Sequence, residues 1–142
     1  MEENKLVLDL SVLIKWFALE DSDLDLALSI EADFLAGKYQ ILMPLFYTWE
    51  LNNYLSRNFD SETAASFYSH FKSYKFHYYD LNLKTTKLAF EMIEKFSKIS
   101  FYDASYHALA ISENATFVTC DKKYYEKTKK MGHIVLLKDF NI

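Results

Sequence analysis

The chain has 142 residues, 51% of them hydrophobic, and a formal net charge of −4 at neutral pH. That length and composition are sufficient for one domain with a buried core and exclude a disordered chain. The acidic balance excludes a generic basic nucleic-acid coat, and no stretch approaches the ~20 apolar residues of a membrane span.

Hydrophobic periodicity and turn signals predict strands and helices in alternation along the chain. In chain order we predict a strand over 6–8, helices over 11–17 and 23–36, a strand over 39–43, helices over 46–57 and 61–74, a strand over 76–81, helices over 84–97 and 101–110, a strand over 116–121, a helix over 122–131 and a strand over 134–137. This order predicts one α/β domain over 1–142 with a mostly parallel sheet flanked by helices.

The first predicted strand ends directly at an acid, Asp9. Three aliphatic residues in a row are typical of a strand buried on both faces of a parallel sheet. Open α/β sheets bind their ligands at the carboxyl ends of the strands, so Asp9 lies where a functional group is expected. A carboxylate there is costly unless it is paired or holds a metal. We expect Ser11 to cap the helix that follows.

The second acid of interest is Glu50, in the helix predicted over 46–57. It is the only acid in the fifteen residues from 41 to 55. Asn53 follows three positions later and therefore projects from the same helix face. An acid isolated in an apolar stretch is more informative than one in a charged run, although a single exposed helix residue is the alternative interpretation. We also expect Ser22 to cap the preceding helix, Gly37 to end it, and Pro44 to stop the strand before Glu50.

Two further acids occur near the C-terminus. Asp103 lies in the first turn of a predicted helix, where the helix field favours a carboxylate, so capping is an alternative role for it. Asp121 ends an apolar strand and repeats the strand, acid, helix pattern of Asp9. Five lysines follow Asp121, and Lys122, Lys123 and Lys127 are candidate RNA contacts. A solvated helix face is the alternative interpretation of these lysines.

Strand ends that share one edge of a parallel sheet would bring Asp9 and Asp121 together, with Glu50 and Asp103 on helices that cross the same edge. Two like charges ~4 Å apart repel by ~4 kcal/mol at an effective dielectric near 20, so such a cluster predicts a bound cation. Oxygen ligands suit Mg²⁺ or Mn²⁺, which can activate water for phosphodiester hydrolysis. The side chains predicted to orient these ligands or the water are Ser11, Asn53 and Thr119.

Other chemistries fit this sequence less well. The four histidines are dispersed and Cys120 is the only cysteine, so neither a zinc cluster nor an intrachain disulfide is predicted. Cys120 lies within a predicted strand and is expected to be buried and inert. His107 follows Asp103 by four residues and could face the site, although a lone helix histidine is usually structural. Only two glycines are present, which excludes a glycine-rich phosphate loop. The single cysteine and the lack of a secretory signal favour a cytoplasmic protein.

Four segments, each containing one of the four acids, give the chain a family resemblance over nearly its whole length. Segments 7–17, 44–55, 100–110 and 115–121 resemble, in order, the motifs of the PIN-domain ribonucleases, and most closely those of the VapC-like toxins of toxin–antitoxin pairs. The resemblance implies a three-layer PIN-like domain. It also implies that Asp9, Glu50, Asp103 and Asp121 are the catalytic metal ligands for Mg²⁺- or Mn²⁺-dependent cleavage of RNA.

The resemblance further implies a homodimer and a cognate antitoxin that holds the nuclease inactive. The helix over 46–57 has more aromatic side chains than one face usually buries, and Phe46, Tyr47, Trp49 and Tyr54 are candidates for the dimer face or the antitoxin groove. Otherwise the 11 tyrosines and 12 phenylalanines predict a large aromatic core, with RNA base stacking as the alternative. Alternative functions are an RNA-processing or quality-control nuclease and a PIN-like binding module without catalysis, although the four intact acids argue against the binding module.

Overall fold

The structure is a computed structural model that describes residues 4–18 and 22–140, along which strands and helices alternate. The strands are β1 (Lys5–Leu8), β2 (Gln40–Pro44), β3 (His77–Tyr79), β4 (Thr116–Thr119) and β5 (Ile134–Leu136). The helices are α1 (Leu10–Leu13), α2 (Lys15–Ala18), α3 (Leu24–Leu35), α4 (Tyr47–Asn58), α5 (Ser61–Ser73), α6 (Leu83–Lys95), α7 (Phe101–Ser112) and α8 (Lys122–Thr128). Short 3₁₀ turns cover Lys129–Met131 and Leu137–Asp139.

The five strands form one sheet in the order β3-β2-β1-β4-β5, and all four neighbouring pairs are parallel. β1 lies next to β4 with Leu8 opposite Val118, so Asp9 is level with Thr119 at the carboxyl edge. The Asp9 N–H continues the ladder by donating to Val118 O at 2.9 Å. The predicted α/β fold with a parallel sheet is confirmed, as is the shared edge of the strands that precede Asp9 and Asp121.

The core is rich in aromatic side chains, as composition predicts. Tyr47, Phe71, Tyr106 and Phe117 are among the largest fully buried side chains. Trp16 packs on Phe71 with ring centroids 6.5 Å apart, and its Nε1–H donates to Ala27 O at 2.9 Å. Burial of each such ring stabilises the fold by roughly 1.5–3 kcal/mol, and the indole N–H keeps a partner. Along the described ranges, no helix combines the length and the apolar character needed to cross a membrane.

Several element boundaries differ from the prediction. The helix predicted over 11–17 is broken at Ile14 into α1 and α2. Its cap is Asp9, whose carboxylate accepts the Ser11 N–H, so the prediction that Ser11 is the cap is wrong. The prediction that Ser22 caps the next helix is also wrong, because Asp23 occupies the cap position with φ 57° and its side chain makes no capping hydrogen bond.

The strand predicted to stop at Pro44 does end there, with Pro44 itself as the last residue of β2. It lies beyond the last residue pair between β1 and β2, where its missing N–H breaks no ladder bond to β1. Gly37 and Gly132 have φ of +83° and +74°, the left-handed region that glycine enters at no steric cost. The helix predicted over 122–131 ends as an α-helix at Thr128 and continues as a 3₁₀ turn to Met131.

Candidate metal centre

Asp9 stands at the carboxyl end of β1 and caps α1, so strand and helix together fix its position. Its Oδ2 accepts hydrogen bonds from Ser11 N at 3.3 Å, Ser11 Oγ at 2.5 Å and Thr119 Oγ1 at 3.4 Å. Burial raises the pKa of Asp9, and these hydrogen bonds oppose the rise. Because the three bonds share Oδ2, the second oxygen, Oδ1, is the one that a further ligand would approach.

Ser11 and Thr119, both predicted to orient ligands, tie the end of β1 to the segment that follows β4. Ser11 Oγ accepts from Cys120 N at 3.2 Å while it donates to Asp9. Thr119 Oγ1 accepts from Asp121 N at 3.0 Å while it donates to Asp9. The two hydroxyls therefore position Asp9 relative to the backbone that leads into Asp121.

Asp121 and Asp103 occupy helix starts, as their sequence contexts indicate. Asp121 caps α8 through its Oδ1, which accepts from Tyr124 N at 3.0 Å. Asp103 lies in the first turn of α7, where its N–H donates to the capping Ser100 Oγ at 3.0 Å. Burial, together with the charges of Asp9, Asp121 and Glu50, raises the pKa of Asp103 to about 6, and a side-chain hydrogen bond with Ser100 opposes the rise.

Glu50 projects from the first turn of α4 toward α7. Its Oε1 accepts from the buried Tyr106 hydroxyl at 2.8 Å. Burial raises the pKa of Glu50, the Tyr106 bond opposes this, and the charge of Asp9 adds to the rise. Tyr106 was not among the predicted site residues, although its spacing of three residues from Asp103 on one helix face was an available signal.

The four acids thus interact through their charges, yet they do not form a compact ligand set as they stand. Within the described ranges, no three His, Cys, Asp or Glu side chains are arranged to hold a metal ion. The donor chemistry nevertheless fits a hard divalent cation, because four carboxylates from separate segments meet at one edge and Asp9, Glu50 and Asp103 all have raised pKa values. Repulsion and burial both disfavour the charged acids until a cation balances them.

Comparison with known proteins places this arrangement in a family. A family model described as PIN domain matches residues 6–130. The chain belongs to the PIN domain family. The resemblance noted from its four motifs is therefore confirmed. PIN domains are generally nucleases and typically use divalent metal ions, which supports a hydrolase activity for this PIN domain.

Solved structures share the fold along almost the entire chain. VapBC2 from Rickettsia felis, bound to a DNA fragment from its promoter, is 23% identical with a TM-score of 0.67, over 93% of this chain and 96% of that one. A toxin–antitoxin complex from Klebsiella pneumoniae is 14% identical with a TM-score of 0.66, over 96% and 99%. VapBC-1 from nontypeable Haemophilus influenzae is 13% identical with a TM-score of 0.68, over 95% and 99%. At these identities the likeness shows the fold. Among curated proteins, none matches this chain.

Other predicted site residues of this PIN domain lie elsewhere. Asn53 is exposed on α4 and accepts from Arg57 Nε at 3.3 Å, so the structure pairs it with Arg57. His107 is fully buried, with Nδ1 3.0 Å from the Tyr124 hydroxyl and Nε2 2.8 Å from Gly132 O. Both ring nitrogens are thus used inside the fold, which confirms the structural alternative for His107.

The lysines that follow Asp121 are exposed on and after α8. Lys122 directly follows the capping Asp121, whereas Lys127 Nζ approaches Lys98 O at 3.4 Å. Lys129 pairs with Glu126 at 2.9 Å. Lys122 and Lys123 lie in the first turn of α8 and are therefore closer along the chain to Asp121 than the other three lysines. All five lysines remain candidate RNA contacts.

Most of the aromatic side chains singled out on α4 are internal. Tyr47 is fully buried, and Phe46 packs on Tyr106 with ring centroids 5.2 Å apart. Tyr54 packs on Phe17 at 6.2 Å. Trp49, in contrast, is 79% exposed. The candidate interface residue of this helix is therefore Trp49.

Proposed function

We propose that this PIN domain is a Mg²⁺- or Mn²⁺-dependent endoribonuclease and the toxin of a toxin–antitoxin pair. The observation that carries the proposal is the electrostatic coupling of Asp9, Glu50, Asp103 and Asp121 at the carboxyl edge of a parallel sheet. Four acids from four separate segments would be an unfavourable arrangement without a cation to balance them. The free energy of unfolding of a domain is only about 5–15 kcal/mol in total. An acid cluster that lowers it is therefore expected only where the cluster serves a function.

The four carboxylates are the residues that would hold the metal. When bound, a divalent cation lowers the pKa of a water molecule and polarises a phosphodiester oxygen. The chain's own contribution is orientation: Ser11 and Thr119 hold Oδ2 of Asp9, and Tyr106 holds Oε1 of Glu50. These partners keep the carboxylates pointed toward the edge of the sheet, which preserves the geometry for the reaction.

The restraint on Glu50 also predicts how the site responds to a cation. Tyr106 occupies Oε1 of Glu50, so Oε2 is the oxygen that would remain available to a bound cation. The charge of the cation would then lower the raised pKa values of all the acids it touches.

An antitoxin and a second copy of the chain are the proposed protein partners. The fold matches VapBC structures and a toxin–antitoxin complex at full length, which supports the antitoxin. A groove of about 390 Å³ runs beside Trp49 and is lined in part by Leu45, Phe46 and Phe101. Leu45 is 49% exposed and neighbouring Tyr102 is 53% exposed, so the rim of this groove is apolar. Exposed apolar surface of this kind is typical of protein interfaces, and we assign it to the homodimer.

The decisive experiment is RNA cleavage by the purified chain with Mg²⁺, Mn²⁺ or EDTA. We expect wild type to cut a panel of small RNAs only with metal, and Glu50→Gln to lose at least 100-fold in rate. Glu91→Gln is the matched control, because Glu91 is exposed on α6 and lies outside both the coupled acids and the groove beside Trp49. Cleavage that persists in EDTA, or equal rates for all variants, would reject the metal site.

If expression of the chain arrests growth, and co-expression of a small gene immediately upstream relieves the arrest, the chain is a toxin rather than another kind of PIN nuclease. Metal-dependent cleavage without growth arrest would favour an RNA-processing or quality-control nuclease. Tight RNA or protein binding without cleavage under any metal would favour a binding module.

A further inference from the structure

A hydrogen bond between two buried side chains joins the helices that hold Asp103 and Asp121. His107 on α7 is fully buried, and Tyr124 on α8 is 4% exposed. The Nδ1 atom of His107 lies 3.0 Å from the hydroxyl oxygen of Tyr124. Within the described ranges, no other hydrogen bond joins α7 to α8. Because α7 packs mainly on α6 and the sheet, and α8 on β5, this bond is the main direct link between the two helices there.

The direction of this bond follows from the other ring nitrogen of His107. Nε2 lies 2.8 Å from Gly132 O. Because a carbonyl oxygen only accepts, Nε2 holds a proton and donates it to Gly132. Burial lowers the pKa of His107, so the ring is neutral near pH 7 and Nδ1 accepts from the Tyr124 O–H. The imidazole and the phenol are therefore held in one hydrogen-bonded arrangement.

Each member of this pair lies one helical turn from an acid of the candidate metal centre. His107 follows Asp103 by four residues, so both project from the same side of α7. Tyr124 follows Asp121 by three residues, and its backbone N–H donates to Asp121 Oδ1 at 3.0 Å. Burial raises the pKa of Tyr124, and a hydrogen bond with Thr128 opposes the rise. The charges of Asp103 and Asp121 add to it, so the Tyr124 hydroxyl lies within electrostatic range of both acids.

Phe117 on β4 packs against both rings of the pair. Its ring centroid lies 5.9 Å from that of His107 and 6.1 Å from that of Tyr124. The centroids of His107 and Tyr124 are 5.8 Å apart, and all three side chains are buried. Since protein interiors are closely packed, three rings in mutual contact leave little freedom for α7 and α8 to move relative to each other.

We propose that His107 and Tyr124 are positioning residues that set the spacing of Asp103 and Asp121 for a small divalent cation. The inference rests on the proposed metal-dependent nuclease and assigns to it the contact that fixes two of its four acids. Mg²⁺ requires near-ideal octahedral geometry at about 2.0–2.1 Å, whereas Ca²⁺ accepts about 2.3–2.6 Å and flexible coordination. A fixed spacing of two carboxylates therefore favours Mg²⁺, and loss of the spacing should weaken Mg²⁺ binding more than Ca²⁺ binding.

The test compares the two metal affinities in the absence of RNA. The Kd values of Mg²⁺ and Ca²⁺ are measured by isothermal titration calorimetry for wild type and for Tyr124→Phe, which keeps the ring and removes the hydroxyl. Residues that orient metal ligands typically contribute about 10–100-fold to metal affinity. We expect Tyr124→Phe to weaken Mg²⁺ binding about tenfold and Ca²⁺ binding less than about threefold.

Thr85→Val is the matched control for loss of a buried hydrogen bond between helices. Thr85 on α6 is 4% exposed, and its hydroxyl donates to Ser112 Oγ at 3.0 Å, at the end of α7 away from Asp103. Valine keeps the shape of the side chain and removes this bond. Thr85→Val should therefore keep the wild-type ratio of the Mg²⁺ and Ca²⁺ Kd values.

A second variant removes the same bond from the other helix. In His107→Gln, the amide nitrogen can replace Nε2 as the donor to Gly132, whereas the acceptor for Tyr124 is lost. The Tyr124→Phe, His107→Gln double variant should bind Mg²⁺ as weakly as either single variant, because both changes remove one shared bond. Thermal melts establish that each variant is folded. Equal weakening of both cations, with additive losses in the double variant, would indicate a general loss of stability and overturn the inference.

The outcomes separate this inference from the proposed function. Mg²⁺-dependent RNA cleavage by wild type, with an unchanged ratio of Kd values in Tyr124→Phe and His107→Gln, would overturn the spacing role and leave the nuclease intact. Selective loss of Mg²⁺ affinity in both variants of a chain that cuts no RNA would support the spacing role and reject the nuclease. Wild type that binds neither cation would overturn both.

Discussion

Replacing Asp103 with asparagine tests the electrostatic cost of the metal-free acid cluster. Burial and the charges of Asp9, Asp121 and Glu50 raise the pKa of Asp103 to about 6 from an ordinary value of 3.8. Asparagine keeps the shape and removes the charge, and the capping bond to Ser100 uses the backbone N–H of residue 103 and therefore survives. We expect Asp103→Asn to be more stable than wild type in EDTA at neutral pH.

The size of the effect follows from the pKa. The difference between pKa values of 3.8 and about 6 corresponds to a destabilisation of the folded state by the charged carboxylate of at most roughly 3 kcal/mol. Asp103 is only partly buried, so solvent screening reduces this to about 1 kcal/mol, or about 3 °C in melting temperature for a chain of this size. A raised folded pKa means that the folded state binds the proton more tightly, so the stability it contributes is present below pH ~4 and lost as the pH rises through about 6.

The measurement is a series of thermal melts from pH 4 to pH 8 in EDTA. The Asp103→Asn variant should melt about 3 °C higher than wild type at pH 7.5, and the difference should vanish near pH 4. Glu91→Gln, at an exposed site on α6 away from the acids, should follow wild type throughout. Equal or lower stability of Asp103→Asn at pH 7.5 would refute the idea that the acids are strained without metal.

Three further substitutions probe the contacts around the site. Tyr106→Phe removes the hydrogen-bond donor to Glu50, so the pKa of Glu50 should rise further and Mg²⁺ should bind more weakly. Titration of the carboxylates by NMR measures this pKa, and an unchanged value would show that the 2.8 Å hydrogen bond is unimportant. His107→Ala leaves the Gly132 carbonyl unsatisfied and should cost about 1–3 kcal/mol in urea denaturation. Because burial lowers the pKa of His107, the stability that wild type has over His107→Ala should shrink as the pH falls below about 6.5, and a difference that does not vary with pH would contradict this. Trp49→Ser should convert a dimer to a monomer in light scattering without lowering the melting temperature, since Trp49 is 79% exposed, and an unchanged dimer would reject this interface.

The parts of the fold that could be predicted are those set by short-range patterns. Apolar runs that end in an acid identify β1 with Asp9 and β4 with Asp121, because strands buried on both faces are continuously hydrophobic. Parallel topology then places both ends at one edge, and Leu8 lies opposite Val118 as that argument requires. Glu50 could be identified because an acid that is isolated in an apolar stretch is rarely buried unless it has a partner or a function.

The residue that caps each helix was less predictable, because several neighbouring residues have a side-chain oxygen that can accept a hydrogen bond from the first helical turn. Asp9 and Ser11 are both good caps, and only the hydrogen bond from Ser11 N to Asp9 Oδ2 shows that Asp9 caps α1, while the Ser11 hydroxyl supports it. Likewise, Asp23 occupies the cap position of α3 in a left-handed conformation, which the residues around it do not predict. Such choices depend on how the chain enters the helix from the sheet.

Contacts between segments distant in sequence were the least predictable. Tyr106 lies 56 residues from Glu50, and Lys138 and Lys15 line one pocket from opposite ends of the chain. No periodicity connects such residues, because tertiary packing alone brings them together. The same holds for Asn53, whose helical spacing from Glu50 is as predicted but whose side chain pairs with Arg57.

The most direct test of the metal centre is Mg²⁺ binding followed by calorimetry and by thermal melts. Wild type should bind Mg²⁺ and gain stability with its concentration as RT ln(1 + [L]/Kd). Asp9→Asn should bind at least tenfold more weakly, melt at or above the wild-type temperature in EDTA, and fail to cut RNA. The exposed Glu91→Gln control should behave as wild type. If Asp9 were only a helix cap, asparagine would serve as well, so Asp9→Asn should match wild type with or without metal, whereas Asp9→Ala should cost about 1 kcal/mol in both conditions. An Asp9→Asn protein that responds to Mg²⁺ as wild type does and still cuts RNA would contradict the metal centre.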